Sequence, residues 1–96
     1  MKAIFFGTPK IAAVILKQLI QAKIEIVAVV TQPDKPKGRG KEVAVSEVKE
    51  VALSFGLPIY QPQKVKEESF IQQLKEKNPD IILVAAYGKI LPSSIL

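Results

Sequence analysis

Apolar residues in this chain fall into two alternating rhythms. Ala3-Ile4-Phe5-Phe6 is a short continuous run closed by Gly7-Thr8-Pro9, the pattern of a buried strand entering a turn. From Pro9 onward, Ile11, Val14, Ile15, Leu19 and Ile20 follow helical spacing on one side while Lys10, Lys17, Gln18 and Gln21 fall elsewhere. This predicts a first helix with Thr8 as its cap and Pro9 at its first position. Residues 24–30 are β-branched and nearly all apolar, as expected of a strand covered on both faces of a parallel sheet. A second helix is predicted over 45–55, with Val48, Val51, Ala52 and Phe55 on one face, Ser46 as cap and Gly56 just past its end. A short strand follows at 57–60, where Pro58 suits a strand start or a sheet edge. The third helix, 66–77, turns Phe70, Ile71 and Leu74 inward and carries acids in its first turn and lysines in its last. Asn78-Pro79 stops it, and residues 81–86 form a fourth apolar strand.

Strands alternating with helices imply an α/β fold, an open, doubly wound, Rossmann-like and mainly parallel sheet, interrupted here after its fourth strand. Ligands of such sheets bind beyond the carboxyl ends of the strands. Three segments occupy that edge: Gly7-Thr8-Pro9, residues 32–42, and the stretch from Tyr87 to Pro92. The second of these holds two prolines and two glycines among charges and is read as a long exposed loop.

Composition narrows the chemistry. The 96 residues are 48% hydrophobic and 24% charged, enough for one globular unit, and no apolar run approaches the roughly 20 residues that span a bilayer. Neither a membrane span nor a signal peptide is expected. The absence of cysteine removes disulfides and thiolate nucleophiles and fits a cytoplasmic protein. The absence of histidine removes Ser-His-Asp and Cys-His arrangements and His-based zinc sites, so no catalytic and no metal-ligating residue is assigned. Fourteen Lys and Arg against nine Asp and Glu give a net charge of +5, which favours anionic partners.

The turn after the first strand does not match G-x-G-x-x-G, because Pro9 stands where the second glycine must admit a pyrophosphate and Ala12 replaces the third. A dinucleotide site is therefore not expected. The helix start could still hold a polar substrate group, or it is simply a tight strand-to-helix turn. The segment from Gln32 to Lys41 places four cations and one anion on ten residues, which reads either as a solvated loop or as a phosphate-straddling one. The backbone after Tyr87 could read a flat heterocycle while Ile90 and Leu91 pack inward.

Together, Phe6-Gly7-Thr8-Pro9, then Val30-Thr31-Gln32-Pro33-Asp34-Lys35-Pro36 with Gly38-Arg39-Gly40-Lys41, and Ala85-Ala86-Tyr87-Gly88-Lys89-Ile90-Leu91-Pro92 resemble the methionyl-tRNA formyltransferase family. Order and spacing agree from Met1 to Leu96. The Thr-Gln-Pro-Asp segment with its Gly-Arg-Gly-Lys is similar to an insertion that separates this family from glycinamide ribonucleotide formyltransferases.

The resemblance implies that residues 1–96 are the amino-terminal part of a formyltransferase catalytic domain. The family moves a formyl group from 10-formyltetrahydrofolate to the amino group of methionyl-initiator tRNA in translation initiation. Arg39 would enter the tRNA acceptor stem, with Lys35, Lys37 and Lys41 as phosphate contacts. Tyr87, Gly88, Lys89, Ile90 and Leu91 would line the folate site, and Gly7, Thr8 and Pro9 would border the pocket for the methionyl group. Lys10-Ile11 departs from the acidic residue and phenylalanine usual in the family. The family's catalytic asparagine, histidine and aspartate have no counterpart within 1–96, so this chain alone is expected to transfer nothing. Two alternatives stay open: another folate-dependent formyltransferase acting on a ribonucleotide or sugar nucleotide, and a non-catalytic RNA- or anion-binding module. The fourth strand is expected at a bare apolar edge, through which two copies of the chain would pair.

Overall fold

The computed structural model describes residues 1–36, 43–63 and 67–87. In chain order the elements are β1 (Lys2–Gly7), α1 (Lys10–Gln21), β2 (Glu25–Val30), β3 (Lys35–Pro36), β4 (Val43–Ala44), α2 (Glu47–Ser54), β5 (Ile59–Tyr60), α3 (Glu68–Glu76) and β6 (Ile81–Ala85). The four predicted strands meet in one parallel sheet of order β5-β2-β1-β6. The chain moves from β1 outward through β2 to β5, then returns across the sheet to lay β6 on the other side of β1. That reversal makes the fold doubly wound, as the alternation of elements predicts.

Each face of the sheet has its own core. Ala3 and Phe5 of β1 face Ala12, Ala13 and Leu16 of α1 and Val48, Val51 and Ala52 of α2, while Ile4 and Phe6 face Phe70 and Leu74 of α3. This is the period-two alternation of a strand covered on both sides. Register between β1 and β2 slips after Ala3, so that Ala3 pairs with Ile26 but Ile4 pairs with Ala28. The extra residue, Val27, reverses the parity of β2: Ile26 belongs to the α1 and α2 side, whereas both Val27 and Ala28 belong to the α3 side.

Three expectations need correction. The inward face of α1 is set by Ala12, Ala13 and Leu16, and Ile11 and Val14 are 64% and 47% exposed. Small residues win because the helix lies close on the sheet: a Cβ placed on Gly7 would come within 2.6 Å of the Ala12 Cβ. Phe55 is half exposed because α2 ends at Ser54 and Gly56, at φ +67°, turns the chain away. The segment 32–42 is not a free loop throughout, since Gln32, Pro33 and Asp34 are half-buried and Lys35–Pro36 pairs antiparallel with Val43–Ala44. Ser46 caps α2 as predicted, accepting from the Lys49 amide at 3.0 Å.

Among the described residues β6 has a neighbour on one side only, with Ile81 and Val84 exposed. No helix among the described residues is long and apolar enough to cross a membrane.

Candidate functional site

The strand order reverses between β1 and β6, and a crevice beyond the carboxyl ends of strands at such a point is where open α/β sheets receive ligands. The residues that end these strands are polar and joined to one another. Thr8 does not cap α1: Pro9 holds the cap position, no side chain bonds the helix start, and the Thr8 hydroxyl donates instead to the Tyr87 carbonyl at 3.0 Å. The proline at the cap carries no N-H, and its extended backbone leaves Thr8 one residue too early to reach the first amides.

The same Tyr87 carbonyl accepts from Gln32 Nε2 at 3.0 Å. Both of its lone pairs are thus engaged by protein. The Tyr87 ring is 2% exposed and packs edge-on against Phe6, with centroids 5.2 Å apart at 88°. Its hydroxyl has no hydrogen-bond partner among the described residues, and burial pushes the phenol's pKa above its ordinary value. Ala86, just before it, stands at φ +52°, a left-handed conformation costly for a residue with a Cβ. That bend turns the Tyr87 ring into the core and its carbonyl back toward β1 and β2.

Gly7 is buried, and its missing side chain is what lets this corner close. An added Cβ would meet the Phe5 ring at 2.8 Å and the Ala85 carbonyl at 2.9 Å as well as Ala12. Pro9 is exposed at the mouth of the turn. The three residues expected to border a substrate pocket therefore divide, with Gly7 packing the corner, Thr8 tying it to β6 and Pro9 facing outward.

Beyond β2 the network continues. Thr31, fully buried, shares a hydrogen bond with the Ser46 hydroxyl at 2.7 Å. Asp34 accepts from Lys49 Nζ and from Gln61 Nε2, each at 2.7 Å, and Gln61 Nε2 also donates to the Gln32 carbonyl at 3.2 Å. The Lys49 ammonium first, and Gln61 second, hold the Asp34 carboxyl below the usual carboxylate range. Sequence reasoning missed Lys49 and Gln61 altogether. Their only signal was polarity at the ends of predicted elements, which most surface residues share.

Of the basic residues expected to meet nucleic acid, Lys37, Arg39 and Lys41 lie outside the described residues, and Lys35 is described only by its backbone in β3. Gly88, Lys89, Ile90 and Leu91 lie outside them too. Tyr87 is the one residue of the folate-lining expectation that is described; its ring is buried and its carbonyl accepts from Thr8 and Gln32. Among the described residues no group of three or more His, Cys, Asp or Glu is placed to hold a metal.

Comparison with known proteins bears directly on this corner. Residues 1–96 match the family described as Formyl transferase. The chain is 52% identical over 96 residues to the methionyl-tRNA formyltransferase of Clostridioides difficile (strain 630), covering 100% of this chain and 31% of that protein. It is 57% identical over 93 residues to the methionyl-tRNA formyltransferase of Thermodesulfovibrio yellowstonii, covering 97% of this chain and 30% of that protein. The chain thus spans under a third of the length of these relatives. In fold it is similar to the phosphoribosylglycinamide formyltransferase of Bacillus halodurans, at a TM-score of 0.70 and 18% identity over 100% of this chain and 50% of that one. The corresponding protein of Streptococcus pneumoniae TIGR4 aligns at a TM-score of 0.59 and 19% identity, over 99% of this chain and 49% of that one.

Proposed function

This chain belongs to the formyl transferase family, and on that premise we propose that it supplies the recognition loops of a methionyl-tRNA formyltransferase, as the amino-terminal part of its catalytic domain. The observation that carries this reading is the contrast between its two sets of relatives. Methionyl-tRNA formyltransferases share about half of the residues along the whole chain, whereas phosphoribosylglycinamide formyltransferases share the fold at 18–19% identity.

The described corner fits a donor site of this kind. Bound 10-formyltetrahydrofolate would supply the formyl carbon. Thr8 and Gln32 fix the Tyr87 carbonyl, so that Gly88, Lys89, Ile90 and Leu91 depart from a held point and present backbone groups to the pterin. Pro9, exposed at the turn, and Thr8 border the place of the methionyl amine. Lys35, Lys37 and Lys41 neutralise phosphates of the initiator tRNA acceptor stem, and Arg39 enters the stem. No residue of this chain is assigned a proton transfer, and the isolated 96-residue chain is expected to show no turnover. Translation initiation places the work in the cytoplasm.

The test is formyl transfer by the complete gene product. Transfer to methionyl-tRNA, weakened specifically by Arg39→Ala, supports the reading. Transfer to glycinamide ribonucleotide with none to methionyl-tRNA overturns it.

A further inference from the structure

One hydroxyl stands where the strand order reverses, with the direction of its proton fixed. Thr8 follows β1 directly, and its Oγ1 lies 3.0 Å from the carbonyl of Tyr87, just beyond β6. A carbonyl oxygen only accepts, so the Thr8 hydroxyl is the donor of this pair. Thr31 and Ser46 differ, because either of their hydroxyls can donate to the other. The Tyr87 carbonyl is itself held in place: Gln32 Nε2 donates to it at 3.0 Å from the segment after β2, and the left-handed Ala86, at φ +52°, sets the bend before it. Thr8 remains partly exposed, next to the exposed Pro9. Toward any third group its oxygen therefore acts only as an acceptor.

We propose that the Thr8 hydroxyl accepts an N-H of the acceptor's primary amine and so leaves the amine's lone pair free for the formyl carbon. This rests on the reading that Thr8 borders the place of the methionyl amine. A neutral primary amine carries N-H donors and one lone pair, and the lone pair forms the new bond. A hydroxyl free to rotate would also donate to that lone pair and block it. Because the Tyr87 carbonyl keeps the Thr8 proton, Thr8 holds the amine by its hydrogens alone. As the lone pair is shared with the formyl carbon, the nitrogen becomes positive and its N-H a stronger donor. The bond to Thr8 then tightens on the way to the transition state, and its benefit falls on rate more than on binding. Gln32 is the positioning residue behind this arrangement, since it keeps the carbonyl aimed at Thr8 without approaching the amine itself.

The experiment measures formyl transfer from 10-formyltetrahydrofolate to methionyl-tRNA by the complete gene product and its variants. Thr8→Val keeps the shape of the side chain and removes the hydroxyl. Its kcat is expected to fall about tenfold, with KM for methionyl-tRNA within about twofold of the parent. Thr8→Ser restores the hydroxyl and should restore the rate. Gln32→Met removes the other bond to the Tyr87 carbonyl but leaves the Thr8 hydroxyl, so it should lose less than Thr8→Val. Equal losses in these two variants would mean that Thr8 only braces the corner, and would overturn the proposal. A loss confined to KM, or a serine variant no faster than the valine one, would overturn it too. If Thr8→Val melts below the parent, Thr8→Cys against Thr8→Ser carries the test, because a thiol is the weaker acceptor at similar size: the cysteine variant should be the slower, and equal rates overturn the proposal. A parent that transfers nothing to methionyl-tRNA overturns the reading beneath, whereas an active parent with an equally active Thr8→Val overturns the role of the hydroxyl alone.

Discussion

At the amino end of the sheet each helix returns to the next strand through one residue in the left-handed conformation, whereas at the carboxyl end distant side chains do the joining. The left-handed residues are Lys23 at φ 64°, Gly56 at φ 67° and Asn78 at φ 51°. After α1, the Ile24 amide bonds the Leu19 carbonyl and the Lys23 amide bonds the Ile20 carbonyl; after α2, Leu57 bonds Ala52 and Gly56 bonds Leu53. Both are complete Schellman closures. After α3 the outer bond is missing because Pro79 has no N-H, and Asp80 secures the chain instead, donating its amide to the Lys2 carbonyl at 2.8 Å and accepting the Lys2 amide on its carboxylate at 2.7 Å. These closures need only neighbours in sequence or a single cross-strand pair. At the other end Thr8, Gln32 and Tyr87 come from three separate segments, so a change in one is felt by the rest.

The largest effect should come from making one substitution at both ends. Gly7→Ala places a Cβ against Ala12, the Phe5 ring and the Ala85 backbone carbonyl, all under 3 Å, and the carbonyl has no room to move without shifting β6. A loss of about 3 kcal/mol is expected by urea unfolding, a large part of the stability of a small domain. Gly56→Ala meets nothing within 4 Å, so only the left-handed backbone opposes it. Its expected cost is about 1 kcal/mol. Equal losses at the two glycines would show that the carboxyl end is no more tightly packed than a helix turn.

Tyr87→Phe should act in the opposite direction. The hydroxyl is buried without a partner among the described residues, and removing it spares the desolvation of an unsatisfied group. A gain of up to about 1 kcal/mol is expected. The parent should also lose stability as pH rises past about 10, where the unfolded phenol ionises and the folded one resists. Tyr87→Phe should remove that alkaline loss at this site. A thermal shift series at pH 8 and above measures both.

The sequence made the amino end easy to read and the carboxyl end hard. Gly56 and Asn78-Pro79 announce helix stops because their backbone preferences are local, although Lys23 performs the same turn with no such mark. The strands and their parallel order followed from continuous apolar runs and intervening helices. The phase of α1 did not, since close approach to the sheet favoured Ala12 and Ala13 over the bulkier Ile11 and Val14. Nor did the role of Thr8, whose position before Pro9 suggested a cap while its partner lies 79 residues away. Gln61 and Lys49 are ordinary surface types in sequence, and only the topology brings them to Asp34. Local rules stop where contacts between distant segments begin.

The smallest effect tests whether the outer part of the carboxyl end is held by charge. Asp34 and Lys49 are 2.7 Å apart, with side chains 25% and 19% exposed. The Lys49 ammonium, with Gln61, keeps the Asp34 carboxyl below its ordinary value in the folded chain, while in the unfolded chain it titrates near about 3.9. The fold therefore favours the ionised form. Its contribution is complete above about pH 4 and disappears as pH falls through the lowered folded value, so the sheet's polar end weakens in acid and not in base. Asp34→Asn keeps an acceptor for Gln61 but removes the charge. Parent and variant should differ in melting temperature at neutral pH and converge as pH falls through that lowered folded value, with the neutral-pH gap narrowing at high salt as screening weakens the pair. A gap that persists in acid would mean that the amide fails on shape or hydrogen bonding, and that charge is not what holds Asp34 in place.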